Sequence, residues 1–119
     1  MNDNVLVMLS CGTDNPNRAT RALFFAVVAQ KKGKKVVVFL LDEGVYLAKK
    51  GLIQHMRAAT GDSADDHLAF LQEWEVPILV CTPCALARQI SAADLVKGAR
   101  MAKGEEMIDL ACSSTVLSF

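Results

Sequence analysis

The segment that decides the fold is Val76-Pro77-Ile78-Leu79-Val80-Cys81-Thr82-Pro83-Cys84. Residues 78–80 form a short, uniformly apolar run between two prolines, which is typical of a buried parallel strand. A helix is expected directly after it, because proline is tolerated in a first helical turn, where its missing N–H would have no partner. The thiols of Cys81 and Cys84 are thus predicted at the carboxyl end of a strand, where open α/β sheets bind ligands. The adjoining helix start favours a thiolate over a thiol.

The rest of the chain alternates between apolar runs and helical patterns. Strands are predicted at residues 5–9, 36–41, 78–80, 98–102 and 115–119. Helices are predicted at residues 17–32, 45–50, 92–95 and 105–112, and another begins near Asp65-Asp66. This alternation predicts a three-layer α/β/α fold with a mostly parallel five-stranded sheet, in a single domain of residues 1–119. The loops that carry Cys11 and Asp42-Glu43 are expected at the same sheet edge as Cys81.

Several side chains are assigned to the interior from helical spacing. Trp74 continues an apolar stripe and is predicted to lie in the core. In the last helix, Met107, Ile108 and Ala111 are predicted to face inward, and Cys112 is predicted to be a buried structural cysteine. The two histidines, His55 and His67, have no partners at ligand spacing and are predicted at the surface.

The bulk composition favours an oligomer in the cytoplasm. The chain is 52% apolar with a mean hydropathy of +0.27, and a small domain has too much surface to hide so much apolar material. Sister subunits are therefore expected to cover part of it. Thirteen basic and thirteen acidic residues cancel, which argues against nucleic-acid binding. The start of the chain lacks a basic signal region and no apolar run is long enough to span a membrane, so a cytoplasmic protein without a membrane partner is expected.

The cysteine segment, together with Arg88 four residues further on and Ile90-Ser91, resembles the DsrE/DsrF-like sulfur-relay family, in particular its small YchN-like branch. The acidic loop Asp42-Glu43-Gly44-Val45 fits the same family. Residues 95–98 and 116–119 extend the resemblance over nearly the whole chain. Members of the family usually have glycine after the arginine, whereas this chain has Gln89.

This resemblance implies a parallel five-stranded sheet, oligomers of three or six subunits, and a persulfide carried on Cys81 between sulfur donor and acceptor proteins. Cys84 is the candidate resolving thiol, because it lies three residues away and can release the sulfur as a disulfide forms. Arg88 lies one helical turn further on and is a candidate partner for a thiolate or persulfide anion. Cys11 is a candidate resolving thiol or second acceptor. No cofactor is expected, since the chain has no Gly-rich fingerprint.

Two other functions stay open. The Cys81–Cys84 pair is also typical of thiol-disulfide redox or sensor proteins, although a thioredoxin-like fold would place a proline opposite the cysteines and the chain has none after Pro83. Alternatively, the chain is a non-enzymatic oligomeric scaffold with incidental cysteines. A zinc site is disfavoured, because only Cys11 and the histidines are left to complete four ligands.

Overall fold

The computed structural model describes residues 3–119. All five strands that it describes belong to one parallel sheet. They are β1 (Asn4–Leu9), β2 (Lys35–Leu40), β3 (Ile78–Cys81), β4 (Ala99–Ala102) and β5 (Thr115–Ser118). The α-helices are α1 (Pro16–Lys31), α2 (Ala64–Glu73), α3 (Thr82–Ala87) and α4 (Gly104–Cys112), and two 3₁₀ helices span Asp42–Ala48 and Ala92–Asp94. The predicted α/β class with a five-stranded parallel sheet is confirmed.

The strand order is β4-β3-β2-β1-β5, so β4 and β5 are the outermost strands. The register aligns the strands at their carboxyl ends, since Leu9 pairs with Leu40, Leu40 with Val80, and Cys81 with Ala102. The loops that follow β1, β2 and β3 therefore emerge side by side at one edge of the sheet.

The two faces of the sheet bury very different amounts of apolar material. Alternate side chains of a strand point to opposite faces. One face carries Val7, Val38 and Val80 into a large core shared with α1, α2 and the 3₁₀ helix Asp42–Ala48. The other face carries a small cluster, which consists of Leu6, Phe39, Leu79 and Ala102 packed against partly buried residues of α4. This second layer is thin, and no residue of α4 is itself fully buried.

Three interior assignments made from helical spacing are wrong. Ile108 is 54% exposed, because only one side of α4 meets the sheet and Ile108 lies on the other. Cys112 is exposed at the last residue of α4. Trp74 is 59% exposed, because α2 ends at Glu73 and the ring of Trp74 lies beyond the packed stripe, beside Phe70. Met107 and Ala111 do pack against the second cluster.

Three helices end in the same way, with a residue in the left-handed conformation just after the helix. These residues are Gly33 after α1, Glu75 after α2 and Gln89 after α3, with φ of 81°, 56° and 59°. After α3, the Gln89 N–H donates to the Leu86 carbonyl and the Ile90 N–H to the Ala85 carbonyl, at 3.1 Å and 2.9 Å. This is the Schellman motif, in which glycine is the preferred residue. Gln89 thus keeps the left-handed turn for which glycine is preferred, at some conformational cost.

Replacing Gln89 with glycine is expected to stabilise the protein modestly. Relief of a left-handed non-glycine residue is worth about 1–2 kcal/mol, and the greater freedom of glycine in the unfolded chain removes roughly half of this gain. Urea denaturation followed by circular dichroism should show a small rise in the free energy of unfolding. Glu75→Gly is the matched control, because it changes the same motif away from the cysteines. A marked loss of stability in Gln89→Gly alone would mean that the Gln89 side chain makes a contribution of its own.

Candidate functional site

Three of the four cysteines lie at the carboxyl edge of the sheet. Cys81 is the last residue of β3 and the N-cap of α3, and Cys84 lies in the first turn of that helix. Cys11 follows β1 and is buried, whereas Cys81 and Cys84 are partly exposed. Cys112 lies at the opposite edge, where α4 leads into β5. All four are free thiols.

The Cys81 thiol does not have the lowered pKa that the helix start predicted. Burial is the main cause that raises its pKa, and the Cys84 thiol and the Asp42 carboxylate raise it further, while the backbone of Cys84 lowers it. The helix that follows has only six residues, so its dipole is small compared with these effects. Cys81 is therefore protonated at neutral pH in the unloaded protein.

The loop after β2 supplies two acidic side chains to the same place. Asp42 opens the 3₁₀ helix, with φ of +49°, and its Oδ1 lies 3.8 Å from Cys84 Sγ. The sequence predicted a short helix only from Val45 onward, whereas the 3₁₀ helix Asp42–Ala48 begins two residues after β2 ends. This early start brings the Asp42 carboxylate back to α3.

Arg88 is held by the acidic loop. Its Nε and Nη2 donate to Glu43 Oε1 at 3.0 Å and 2.9 Å, and its Nη1 donates to the Cys84 carbonyl at 3.1 Å. The Glu43 carboxylate raises the pKa of Arg88. The predicted role of Arg88, as partner of a sulfur anion, thus competes with an ion pair that joins the loop after β2 to α3.

Two glycines let the loops after β1 and β2 touch. A Cβ atom on Gly12 would stand 2.4 Å from the Glu43 carbonyl oxygen, and one on Gly44 would stand 2.1 Å from the Leu9 carbonyl oxygen. The Asp14 Oδ1 accepts a hydrogen bond of 2.8 Å from the Gly12 N–H, which shapes the loop around Cys11. Backbone therefore packs on backbone beside the thiols, and the site has little freedom to shift.

Cys11 is poorly suited to react in this state. It is 8% exposed, and burial, with a contribution from Asp14, raises the pKa of its thiol. Its place in the loop packed on Glu43 and Gly44 nevertheless puts it at the same sheet edge as Cys81. A role as second acceptor stays a prediction and requires the loop to open.

Asp42 and Glu43 belong to the site, whereas the sequence alone favours an ordinary solvated loop over the alternatives that they orient a partner or raise a thiol pKa. The sequence does contain a pattern that predicts their place in the site, because two acidic residues directly follow a buried strand at the edge shared with Cys81. A further contact, from the Thr82 hydroxyl to the Ala102 carbonyl at 2.7 Å, ties α3 to the end of β4. No sequence signal pointed to it.

The two histidines differ in their environments. His55 is exposed, whereas His67 is partly buried and lies 2.6 Å from Asp62 in the loop before α2. Within residues 3–119, no three His, Cys, Asp or Glu side chains are grouped so that they could hold a metal ion. In the same part of the chain, no helix combines the length and the apolar character that a membrane span requires.

Alkylation of the native protein should report these environments. Cys112 is expected to react first and Cys11 last, because reaction requires access and thiolate. The raised pKa of Cys81 means that its rate at pH 7 is limited by the thiolate fraction, which grows about tenfold per pH unit below the pKa. The Cys81 rate should therefore climb steadily from pH 7 to pH 9. Peptide mapping that shows a plateau for Cys81 below pH 8 would contradict the protonated resting state.

A single parallel sheet with a thiol pair after its third strand defines a class of small α/β thiol proteins. A model of the DsrE/DsrF-like family matches residues 3–119. The chain belongs to the DsrE/DsrF-like family.

Its relatives agree with this assignment. An uncharacterised protein of Methanopyrus kandleri is 30% identical over 110 residues, which cover 90% of this chain and 85% of the relative. An uncharacterised protein of Methanocaldococcus jannaschii is 35% identical over 94 residues, which cover 76% of each. Among solved structures, the YchN protein of Escherichia coli shares the fold over 100% of both chains, with a TM-score of 0.81 and 21% identity. A protein of unknown function from Methanobacterium thermoautotrophicum has a TM-score of 0.71 at 11% identity and covers 98% of both chains.

Proposed function

We propose that this protein carries sulfane sulfur as a persulfide on Cys81 and passes it along a sulfur relay. The observation that carries the proposal is the placement of Cys81, partly exposed at the end of β3, with a second thiol in the next helical turn and an acidic loop against that turn. Membership of the DsrE/DsrF-like family supports the same chemistry. The partners in this proposal are a sulfur donor and a sulfur acceptor protein.

Loading is a thiol exchange on the donor. The Cys81 thiolate attacks the outer sulfur of the donor's persulfide, a bond forms between the two sulfurs, and the donor leaves as a thiolate. Because the pKa of Cys81 is raised, its thiol must lose a proton before it attacks, and the departing donor thiolate can take a proton up. A persulfide is a stronger acid than a thiol, so the loaded group is an anion at neutral pH. An acceptor thiolate then attacks its outer sulfur and regenerates the Cys81 thiolate.

The proposal is tested by intact mass after incubation with a persulfide donor, with and without a reductant. The expected result is a gain of one sulfur atom, which cyanide and the reductant both remove. A loss of two free thiols without bound sulfur would instead favour a thiol-disulfide protein that uses Cys81 and Cys84. Native thiols that neither load nor oxidise would favour the oligomeric scaffold.

We further propose that the protein is a homo-oligomer of three or six subunits in the cytoplasm. The thin second layer leaves apolar side chains on α4 and β5 in solvent, since Ile108 is 54% and Val116 39% exposed, and Leu86 beside the site is 61% exposed. Exposed apolar area of this kind marks subunit contacts. Four free thiols suit a reducing compartment.

Light scattering at micromolar concentration should give a mass three or six times that of the 12.9 kDa chain. The double variant Ile108→Lys, Val116→Lys is expected to lower this mass while the circular dichroism spectrum is retained. A monomer mass for the wild-type protein would refute the proposal.

A further inference from the structure

The contact between Asp42 and Cys84 has a consequence for the lifetime of the carried sulfur, and it rests on the proposed function. Asp42 Oδ1 lies 3.8 Å from Cys84 Sγ, within hydrogen-bonding range for sulfur. A carboxylate can only accept, so Cys84 must donate its S–H proton in this bond. The Asp42 carboxylate thus contacts the sulfur of Cys84 directly, and it does so while that sulfur carries its proton.

Asp42 is held in an uncommon backbone conformation. Its φ of +49° lies in the left-handed region, which non-glycine residues seldom adopt, although aspartate does so more often than most. Such conformations persist only where the surroundings impose them, and they are concentrated at functional sites. Here two hydrogen bonds hold the segment in place. Arg88 donates to the carboxylate of Glu43, the residue after Asp42, and it also donates to the Cys84 carbonyl. The strained aspartate and the thiol are therefore tied to one another through both backbone segments.

The charged and titratable groups around Cys84 are few. Asp42 faces its sulfur, Cys81 stands one turn earlier, and Arg88 contacts its carbonyl oxygen. The Arg88 charge is offset by Glu43 at 2.9 Å, and Tyr46 adds a smaller effect of the same sign. Of these charged side chains, Asp42 is the one that contacts the Cys84 sulfur itself.

We propose that Asp42 is a retention residue, which holds the Cys84 S–H in a hydrogen bond and so prevents internal loss of the sulfur held on Cys81. The loss that it prevents is balanced without an external oxidant. The Cys84 sulfur, once deprotonated, attacks the inner sulfur of the Cys81 persulfide, a disulfide forms between Cys81 and Cys84, and the outer sulfur leaves as sulfide. The sulfane sulfur is reduced and the two cysteines are oxidised, so a cellular dithiol must then reopen the disulfide.

The test is Asp42→Asn, with Asp14→Asn as the matched control. Asparagine is the same size and tolerates the left-handed conformation, so the fold is expected to be retained. Asp14→Asn removes the same charge at the same sheet edge, but it faces Cys11 and not Cys84. Loss of one unit charge beside a partly exposed sulfur should accelerate thiolate reactions about fivefold at neutral pH.

Two readouts separate this inference from the proposed function. In a Cys81→Ser background, which cannot carry sulfur by the proposed route, alkylation of Cys84 at pH 7 should be about fivefold faster with Asp42→Asn. In the protein with both thiols, preloaded Asp42→Asn should release sulfide faster than the wild-type protein. Unchanged or slower Cys84 alkylation in Asp42→Asn would overturn the inference, and slower reaction would make Asp42 a base. Failure of the wild-type protein to load would instead refute the proposed function.

Discussion

Replacing Gly44 with alanine is expected to destabilise the protein by roughly 3 kcal/mol, a large share of a typical domain's stability. The added Cβ would stand 2.1 Å from the Leu9 carbonyl oxygen and 3.0 Å from its carbon. These atoms are backbone at the end of β1, so no side-chain rotation can relieve the overlap. The Leu9 carbonyl also accepts a hydrogen bond from the Leu41 N–H at 3.1 Å, and moving it strains the pairing of β1 with β2.

Alanine substitutions at two other glycines, Gly104 and Gly33, separate the effect of backbone overlap from the general effect of replacing glycine. A Cβ on Gly104 meets nothing within 4 Å, and its backbone φ is not positive, so Gly104→Ala should be neutral or stabilise α4 by up to about 1 kcal/mol. Gly33→Ala also enters open space, but φ of +81° gives it a conformational cost of about 1 kcal/mol. Urea denaturation should therefore give Gly44→Ala the lowest free energy of unfolding of the three variants and Gly104→Ala the highest. Gly33→Ala should fall between them, well above Gly44→Ala. An alanine at position 44 that costs no more than the one at position 33 would show that the two loops separate easily.

The sequence was sufficient for the order of elements because most strands are local apolar runs and the longer helices have local end signals, whereas β4 contains Arg100 and is only weakly marked. It also predicted that Cys11, Asp42 and Cys81 share one edge, because a parallel sheet brings the carboxyl ends of its strands together. Burial was harder to predict. Helical spacing identified an apolar stripe in α4 but could not show that a single helix covers that face of the sheet, so Ile108 and Cys112 were placed inside.

The contacts within the site could not be predicted from the sequence, because they join residues that lie far apart in the chain. The pair Arg88–Glu43 joins residues 45 positions apart, and Cys84–Asp42 joins residues 42 positions apart. Such pairs depend on the early start of the 3₁₀ helix and on the left-handed φ of Asp42. Aspartate adopts this conformation more often than most residues, but that tendency does not single out position 42. The raised pKa of Cys81 follows from the same long-range packing. Local reasoning saw only the helix start and predicted the opposite direction.

Replacing Cys81 with serine is expected to abolish sulfur loading. A serine hydroxyl is not ionised at neutral pH and cannot form the sulfur–sulfur bond of a persulfide. Cys81→Ser is nearly isosteric and should leave the fold intact, which circular dichroism can verify. Intact mass after treatment with a persulfide donor should then show no added sulfur, while Cys112→Ser, the control at the opposite edge of the sheet, should load like the wild-type protein once adventitious sulfur on the exposed thiol is allowed for. If Cys81→Ser still gains one stable sulfur, another cysteine is the carrier.

Cys84→Ser should separate loading from release. The variant keeps Cys81 and is expected to load fully, because the first exchange needs only one thiolate. It cannot attack the inner sulfur of the persulfide, so spontaneous sulfide release should fall at least tenfold, the size expected when an intramolecular thiol is replaced by attack from solution. A thiol acceptor added in excess should restore transfer in Cys84→Ser, because this route attacks the outer sulfur and bypasses residue 84. Release from Cys84→Ser at the wild-type rate would make Cys84 a neighbour of the carrier without a part in the chemistry.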